Sequence, residues 1–184
     1  MDVAVEWHDW VDAVTSGIVG VPDGVLRKVA ELLKPASVVL TAGNGGSHAL
    51  ASHAAQALMK PGYAAGGGTA AVCLSDGVPT LTAHANDGGW ETALADVAEP
   101  FLRHADEPVL WLFSSSGRSK NIVKLAEDGK RFGLPVVAFT GFDGGPLREL
   151  ATISVHVDSK DYEVIEPVHD ALLHRVQHHL RHVR

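Results

Sequence analysis

Three short apolar runs constrain this chain more than anything else in it: residues 37–42 (SVVLTA), 108–113 (PVLWLF) and 135–140 (PVVAFT). Each is continuous rather than alternating, and each leads into small residues or glycine. A strand with one wet face alternates apolar and polar side chains. A continuous run needs cover on both faces, as in a parallel sheet between layers of helices. Two weaker runs, 69–74 (TAAVCL) and 152–157 (TISVHV), bring the expected strands to five. Helical spacing lies around and between them. Val25, Val29, Leu32 and Leu33 share one face of 25–33, and Ile122, Leu125 and Phe132 one face of 122–132. A final helix is expected over 164–183, carrying Val168, Leu172, Leu173, Val176 and Leu180, and a first one over 2–19, with Trp7 and Trp10 three apart. The alternation predicts a doubly wound α/β fold. The chain reads as one domain over 1–184, with 1–34 as an N-terminal helical segment and a glycine-rich hinge at 62–68.

Charge and cysteine usage exclude some functions. Fifteen basic against 22 acidic residues leave a net charge of −7, the wrong sign for non-specific nucleic-acid binding, which needs clustered positive charge. A small anion held by backbone amides is not excluded by that balance. Cys73 is the single cysteine, so no intrachain disulfide forms. No apolar run approaches the ~20 residues of a membrane span. The acidic start MDVAVEWHDW lacks the basic region of a signal peptide. The expectation is a soluble, cytoplasmic chain.

In an open parallel sheet, ligands bind beyond the carboxyl ends of the strands. Two of the strong strands end in loops suited to an anion. After 37–42 comes Gly43-Asn44-Gly45-Gly46-Ser47, then helix-forming HALASHAAQAL. Glycines let backbone amides approach a ligand, and a helix start adds free donors with partial positive charge. The loop lacks the GK[ST] of a P-loop and the GxGxxG of a dinucleotide site. After 108–113 comes Ser114-Ser115-Ser116-Gly117-Arg118-Ser119, again before a helix. One Ser is enough for an N-cap; four hydroxyls in six residues exceed that need and suit a phosphate.

GNGGS, Ala85-Asn86-Asp87, SSSGRS and Thr140-Gly141-Phe142-Asp143-Gly144-Gly145 stand in the order and spacing of the sugar isomerase (SIS) domain family. More narrowly, the chain resembles the sedoheptulose 7-phosphate (phosphoheptose) isomerases from about Leu33 to its C-terminus. The resemblance implies a three-layer αβα sandwich with a five-stranded parallel sheet, and a homotetramer with active sites between subunits. It implies that Ser114, Ser116 and Ser119 hold the phosphate, with Ser115 in the same loop. Asn44, Gly45, Gly46 and Ser47 would contribute to the sugar pocket, and Asn86 and Asp87 would position the substrate.

The family's reaction moves a carbonyl between C2 and C1 through an enediol, which needs a base, an acid and stabilisation of the enediolate. Members use a histidine of the last helix and a glutamate of the helix after GNGGS; several bind zinc with these, a first-helix histidine and a glutamine. His53 matches the first-helix histidine, His174 the last-helix histidine, and Glu166 stands at the glutamine position. The glutamate position is Ala57, which neither takes a proton nor binds a metal; Gln56 lies about 100° away around the helix. The implied zinc set, one ion per subunit, is therefore His53, Glu166 and His174, a His₂Glu set with an open position. His174 is the first choice of base and Glu166 the second. His169 is a supporting candidate, and His178, His179 and His182 read as a solvated helix end. Arg118 either clamps the phosphate or points to solvent. Lys120, opposed to the helix dipole, suggests a nearby anion. Two functions stay open: a phosphosugar aldose–ketose isomerase, and a non-catalytic SIS regulator that binds a phosphosugar or a protein, which Ala57 favours and His174 opposes.

Overall fold

The computed structural model describes residues 7–60 and 68–182. Five parallel strands form one sheet: β1 (Val39–Ala42), β2 (Ala71–Cys73), β3 (Val109–Phe113), β4 (Val136–Thr140) and β5 (Ile153–His156). Their order is β2-β1-β3-β4-β5. Side chains alternate across the sheet, yet both faces are buried. Val39, Val109, Trp111, Phe113, Val137 and Phe139 enter one core, and Leu40, Ala42, Leu110, Leu112, Val136 and Ala138 the other. Two dry faces are why these runs read as continuous.

Helices α1 (Trp7–Gly20), α2 (Asp23–Leu33), α3 (Gly46–Met59) and α8 (Tyr162–His182) cover the first core. The second is covered by α4 (Val78–Gly88), α5 (Trp90–His104), α6 (Lys120–Arg131) and α7 (Gly145–Leu150). The result is the three-layer sandwich. Three helices, α4, α5 and α7, come without a sequence expectation. Their segments carry Pro79, Pro100 and Pro146 and several glycines, so local propensity is poor and packing on the sheet decides. The glycine-rich stretch at 62–68 lies, apart from Gly68, outside the described residues, as do residues 2–6 of the first expected helix and Val183. No helix among the described residues is long and apolar enough to cross a membrane.

α8 begins at Tyr162, two residues before the expected start at Val164. Asp161 starts it: its carbonyl accepts from Val164 and Ile165, and its carboxylate from the Glu163 amide at 2.9 Å. Pro167 therefore sits inside the helix, where its missing N–H would orphan the Glu163 carbonyl. The Trp10 indole N–H supplies the bond at 3.1 Å. Trp10 thus docks α1 on α8 within the chain, with exposed Trp7 stacked on it at 5.2 Å. The helix end also departs from expectation. His179 is buried and, with Arg175, pairs with Asp23 of α2, so it is a structural contact rather than solvated surface. That pairing lowers the Asp23 carboxyl far below its usual range.

Candidate active site

Strand order reverses at β1 and β3, since β1 is followed outward by β2 while the chain returns to build β3, β4 and β5 on its other side. The loops after β1 and β3 diverge there and leave a crevice, the usual place for a ligand in such a sheet. They are the two loops singled out in the sequence. Asn44, Ser47, Ser114, Ser115, Ser116 and Ser119 line one cleft, closed from the side of α8 by Tyr162 and Glu166. A larger apolar cavity, walled by Leu32, Pro35, Val109 and Leu134, lies at the opposite end of the strands, where only Glu107 offers charge.

The serine loop is held tightly. Ser114 N–H donates to Phe139 and continues the β3–β4 ladder, and Gly141 N–H donates to the Ser115 carbonyl at 2.7 Å. Gly117 turns the chain at φ +63°, and its carbonyl accepts from Leu147 N–H. A Cβ there would run into the Gly144 carbonyl, so both the angle and the close approach demand glycine. The TGFDGG loop is thus the backing of the serine loop. Its Asp143 pairs with Arg118, which lowers the Asp143 carboxyl, and both are exposed. Arg118 therefore stands on the rim beside Asp143, and the anion beside Lys120 is the Glu91 carboxylate.

Ser119 occupies the N-cap of α6, yet its side chain makes no capping bond. Its hydroxyl accepts from Ser114 at a long 3.4 Å, and the buried Ser115 hydroxyl has no hydrogen-bond partner among the described residues. Capping is done by Asn121, whose Oδ1 accepts from the Ile122 amide at 3.0 Å. The Asn121 and Asn44 carboxamides also donate to each other at 3.0 and 2.9 Å, stitching the two loops together across the crevice. Asn121 is 1 % exposed, and the Ile122 amide it accepts from also donates to the Ser119 carbonyl at 3.0 Å. The hydroxyls and the positive end of α6 are left for an anion. Sequence reading missed Asn121 as part of the site; its place two residues after the second loop, in the first turn of α6, was the available signal.

At the start of α3, a Cβ on Gly46 would collide with the Glu166 carboxylate, so glycine lets α8 press that carboxylate against the helix end. Glu166 is thereby held in the serine cleft. His53 lies further along α3, half-buried, with Nδ1 at 3.2 Å from Asp170 Oδ1. The His174 ring meets the His53 ring edge-on at 5.0 Å. His53, Asp170 and His174 each bring a ligating atom within 4.8 Å of the others; Glu166 does not join them. The structure thus brings together two of the three implied ligands, sets Glu166 with the serines, and adds Asp170. Ala57 is buried one turn beyond His53, and Gln56 faces solvent.

The remaining candidates lie elsewhere. Asn86 and Asp87 form the last turn of α4, exposed and bonded to one another at 3.0 Å, away from the residues lining the cleft. His169 is fully buried below the site, edge-on to Phe139, with Nε2 donating to the Thr140 carbonyl at 3.2 Å. Burial lowers its pKa to about 4, so it stays neutral. His178 belongs to no converging group among the described residues and packs on His182. A second convergence, His48, Cys73 and Asp76, lies at the end of β2. There Nδ1 of His48 bonds Ser75 at 2.9 Å while Nε2 faces Asp76 at 3.5 Å, which ties α3 to the β2 loop. Burial pushes the Cys73 thiol up, keeping it protonated.

This sandwich, with anion-ready loops on both sides of the switch point, defines the class. The SIS domain family model matches residues 23–141, and the chain belongs to that family. Within it, the chain is 34% identical to the phosphoheptose isomerase of Vibrio vulnificus over 160 residues, covering 83% of this chain and 78% of that one. It is 33% identical to the phosphoheptose isomerase of Crocosphaera subtropica over 148 residues, covering 80% and 74%. The solved structure of phosphoheptose isomerase GmhA from Neisseria gonorrhoeae superposes with a TM-score of 0.83 at 25% identity, over 98% of this chain and 97% of that one.

Proposed function

We infer that this chain is a sugar-phosphate isomerase, and we propose sedoheptulose 7-phosphate as its substrate, converted to an aldoheptose 7-phosphate. The carrying observation is the cleft in which serine hydroxyls and the start of α6 oppose Glu166 across the β1–β3 crevice. The names of its relatives agree with that chemistry. In this reading the phosphate accepts bonds from Ser114, Ser115, Ser116 and Ser119. The sugar then runs along the inward face of α8.

Helix geometry leaves room for a long sugar. From Glu166 to His174, α8 rises about 12 Å, and the six C–C bonds of an extended heptose reach on the order of 8 Å. In this reading a heptose anchored at the serines carries C1 and C2 toward His174. Glu166, whose carboxylate lies in the cleft, takes a proton from C1 as the C2 carbonyl oxygen gains one, which gives the enediol. The same proton returns to C2 as O1 gives up its own, which leaves the aldehyde at C1. His174 faces the oxygens and offsets the charge that develops there. Zinc fits this end of the site in part: His53 and His174 converge and suit it, and Glu166 stands apart. Bound zinc would polarise the carbonyl. The homotetramer belongs to the same proposal, with exposed Asn86 and Asp87 offered to a neighbouring copy.

The test is turnover of sedoheptulose 7-phosphate by the purified chain, followed by NMR of the sugar. Turnover lost in both Glu166→Gln and His174→Ala, with binding retained, supports the assignment. Binding without turnover in the wild-type chain, with or without added zinc, overturns it in favour of a regulator.

A further inference from the structure

The side chains gathered at the carboxyl end of edge strand β2 take no part in the reaction proposed above. None of them lines the serine cleft, and none joins His53 and His174. We propose that His48, Cys73 and Ser75 form a separate site for a thiophilic divalent cation, zinc, with Asp76 orienting the imidazole. The site involves neither Ala57 nor α8 and does not rest on the isomerase reading.

The three donors come from two rigid pieces. Cys73 is the last residue of β2, Ser75 follows it by two, and His48 stands in the first turn of α3. His48 Nδ1 lies 2.9 Å from Ser75 Oγ and 3.8 Å from Cys73 Sγ, and those two atoms are 3.5 Å apart. Atoms bound to a tetrahedral zinc at about 2.0–2.3 Å stand roughly 3.3–3.6 Å from one another. A triangle with the observed sides has a point about 2 Å from every corner, which is where one ion fits. Water completes the set, since the side chains of His48 and Asp76 are 37% and 50% exposed and open the cluster to solvent. The far ring nitrogen, Nε2, faces Asp76 Oδ1 at 3.5 Å, and the Ser52 hydroxyl holds that carboxylate through Oδ2 at 2.9 Å. A carboxylate there draws the ring proton to Nε2 and leaves Nδ1 to ligate. Sulfur sets the choice of metal: thiolate with imidazole suits zinc, whereas magnesium and calcium take oxygen donors. On binding, the thiol gives its proton to solvent and the thiolate ligates, its burial offset by the charge of the cation. A hydrogen-bonded knot needs Ser75 and Asp76 on the ring, but no thiol at the third corner.

Cys73 is the single cysteine of the chain, so sulfur ligation reports this site alone. The chelator-stripped full chain is titrated without oxygen with cobalt(II) chloride, and the near-ultraviolet charge-transfer band of a cobalt–thiolate bond is followed. Zinc chloride is then added as competitor. The band is expected to saturate at one cobalt per chain and to bleach with zinc. Cobalt affinity should fall roughly tenfold or more in His48→Ala and in Asp76→Asn. The double variant His53→Ala/His174→Ala should keep both band and affinity, which separates this ion from any held between α3 and α8. Three results overturn the proposal: no band from the wild-type chain at saturating cobalt, unchanged affinity in both His48→Ala and Asp76→Asn, or a band lost in the folded double variant. Circular dichroism checks the fold of each variant, and the exposed Asp76→Asn keeps the test decisive should His48→Ala unfold. Turnover of the sugar plays no part in the readout, so failure of the isomerase reading leaves this result standing.

Discussion

The two ends of the site are built differently. The serine loop uses neighbours in sequence, residues 114–119, and fastens them by backbone bonds to β4, Gly141 and Leu147 with the loop buried against TGFDGG. The histidine end draws His53 from α3 and Asp170 and His174 from α8, all partly exposed, joined by one ion pair and one ring contact. An anchor for a substrate's unreactive end works best when rigid before binding, since no ordering cost then falls on the complex. Groups that meet the reacting carbons can remain adjustable until substrate or cation organises them. In the proposed reading, rigidity is therefore concentrated where no bond changes.

Substitutions can break this contrast. The largest effect is expected from Gly117→Ala, which demands a left-handed angle of alanine and drives a methyl into the Gly144 carbonyl. A loss of about 3 kcal/mol in denaturant unfolding, together with lost phosphosugar binding, is expected; a stable variant with intact binding would show the loop to be pliable. Next comes Glu166→Gln, with kcat lower by about 10²–10⁴ and KM little changed, because the cleft is kept and only the proton carrier goes. Equal losses in binding would place Glu166 in the anchor instead. The double variant Ser116→Ala/Ser119→Ala removes two bonds to a charged group at roughly 1.5–3 kcal/mol each, or about a hundredfold or more in affinity. Its Tm should change little, since Ser119 makes no capping bond and Ser116 loses only an exposed 3.2 Å bond from the Arg118 amide. Asn121→Ala leaves the Asn44 carboxamide without its bonds across the crevice, for about 1–3 kcal/mol of stability and weaker binding, which tests whether the loops act as a unit. Arg118→Ala should change affinity least, within about twofold, because its guanidinium is spent on exposed Asp143. A tenfold drop would mean that Arg118 swings onto the phosphate.

Much of the frame was legible because burial on both faces leaves a composition that reads through to the fold. The five strands and the loops after β1 and β3 lie where the apolar runs and glycines predict them. Less legible were α4, α5 and α7, whose prolines and glycines hide helices stabilised by packing. Ala85-Asn86-Asp87 reads locally as a turn and forms the end of α4, because its helix is set by Leu81 and the sheet. The spacing Glu166, Asp170, His174 was visible as one stripe four residues apart. Nothing local distinguished the member that faces the serines from those that face His53.

The amino-acid sequence by itself determined the layered α/β architecture and the anion-ready loops, since both follow from contiguous residues: a run of apolar side chains, a glycine turn, hydroxyls at a helix start. Only the tertiary structure decided which distant side chains share a site. Gly46 admits the Glu166 carboxylate to the serine cleft, and the packing of α3 on α8 sets Asp170 and His174 against His53. These pairings depend on how two helices more than a hundred residues apart pack on one sheet, and neither helix encodes that relation alone.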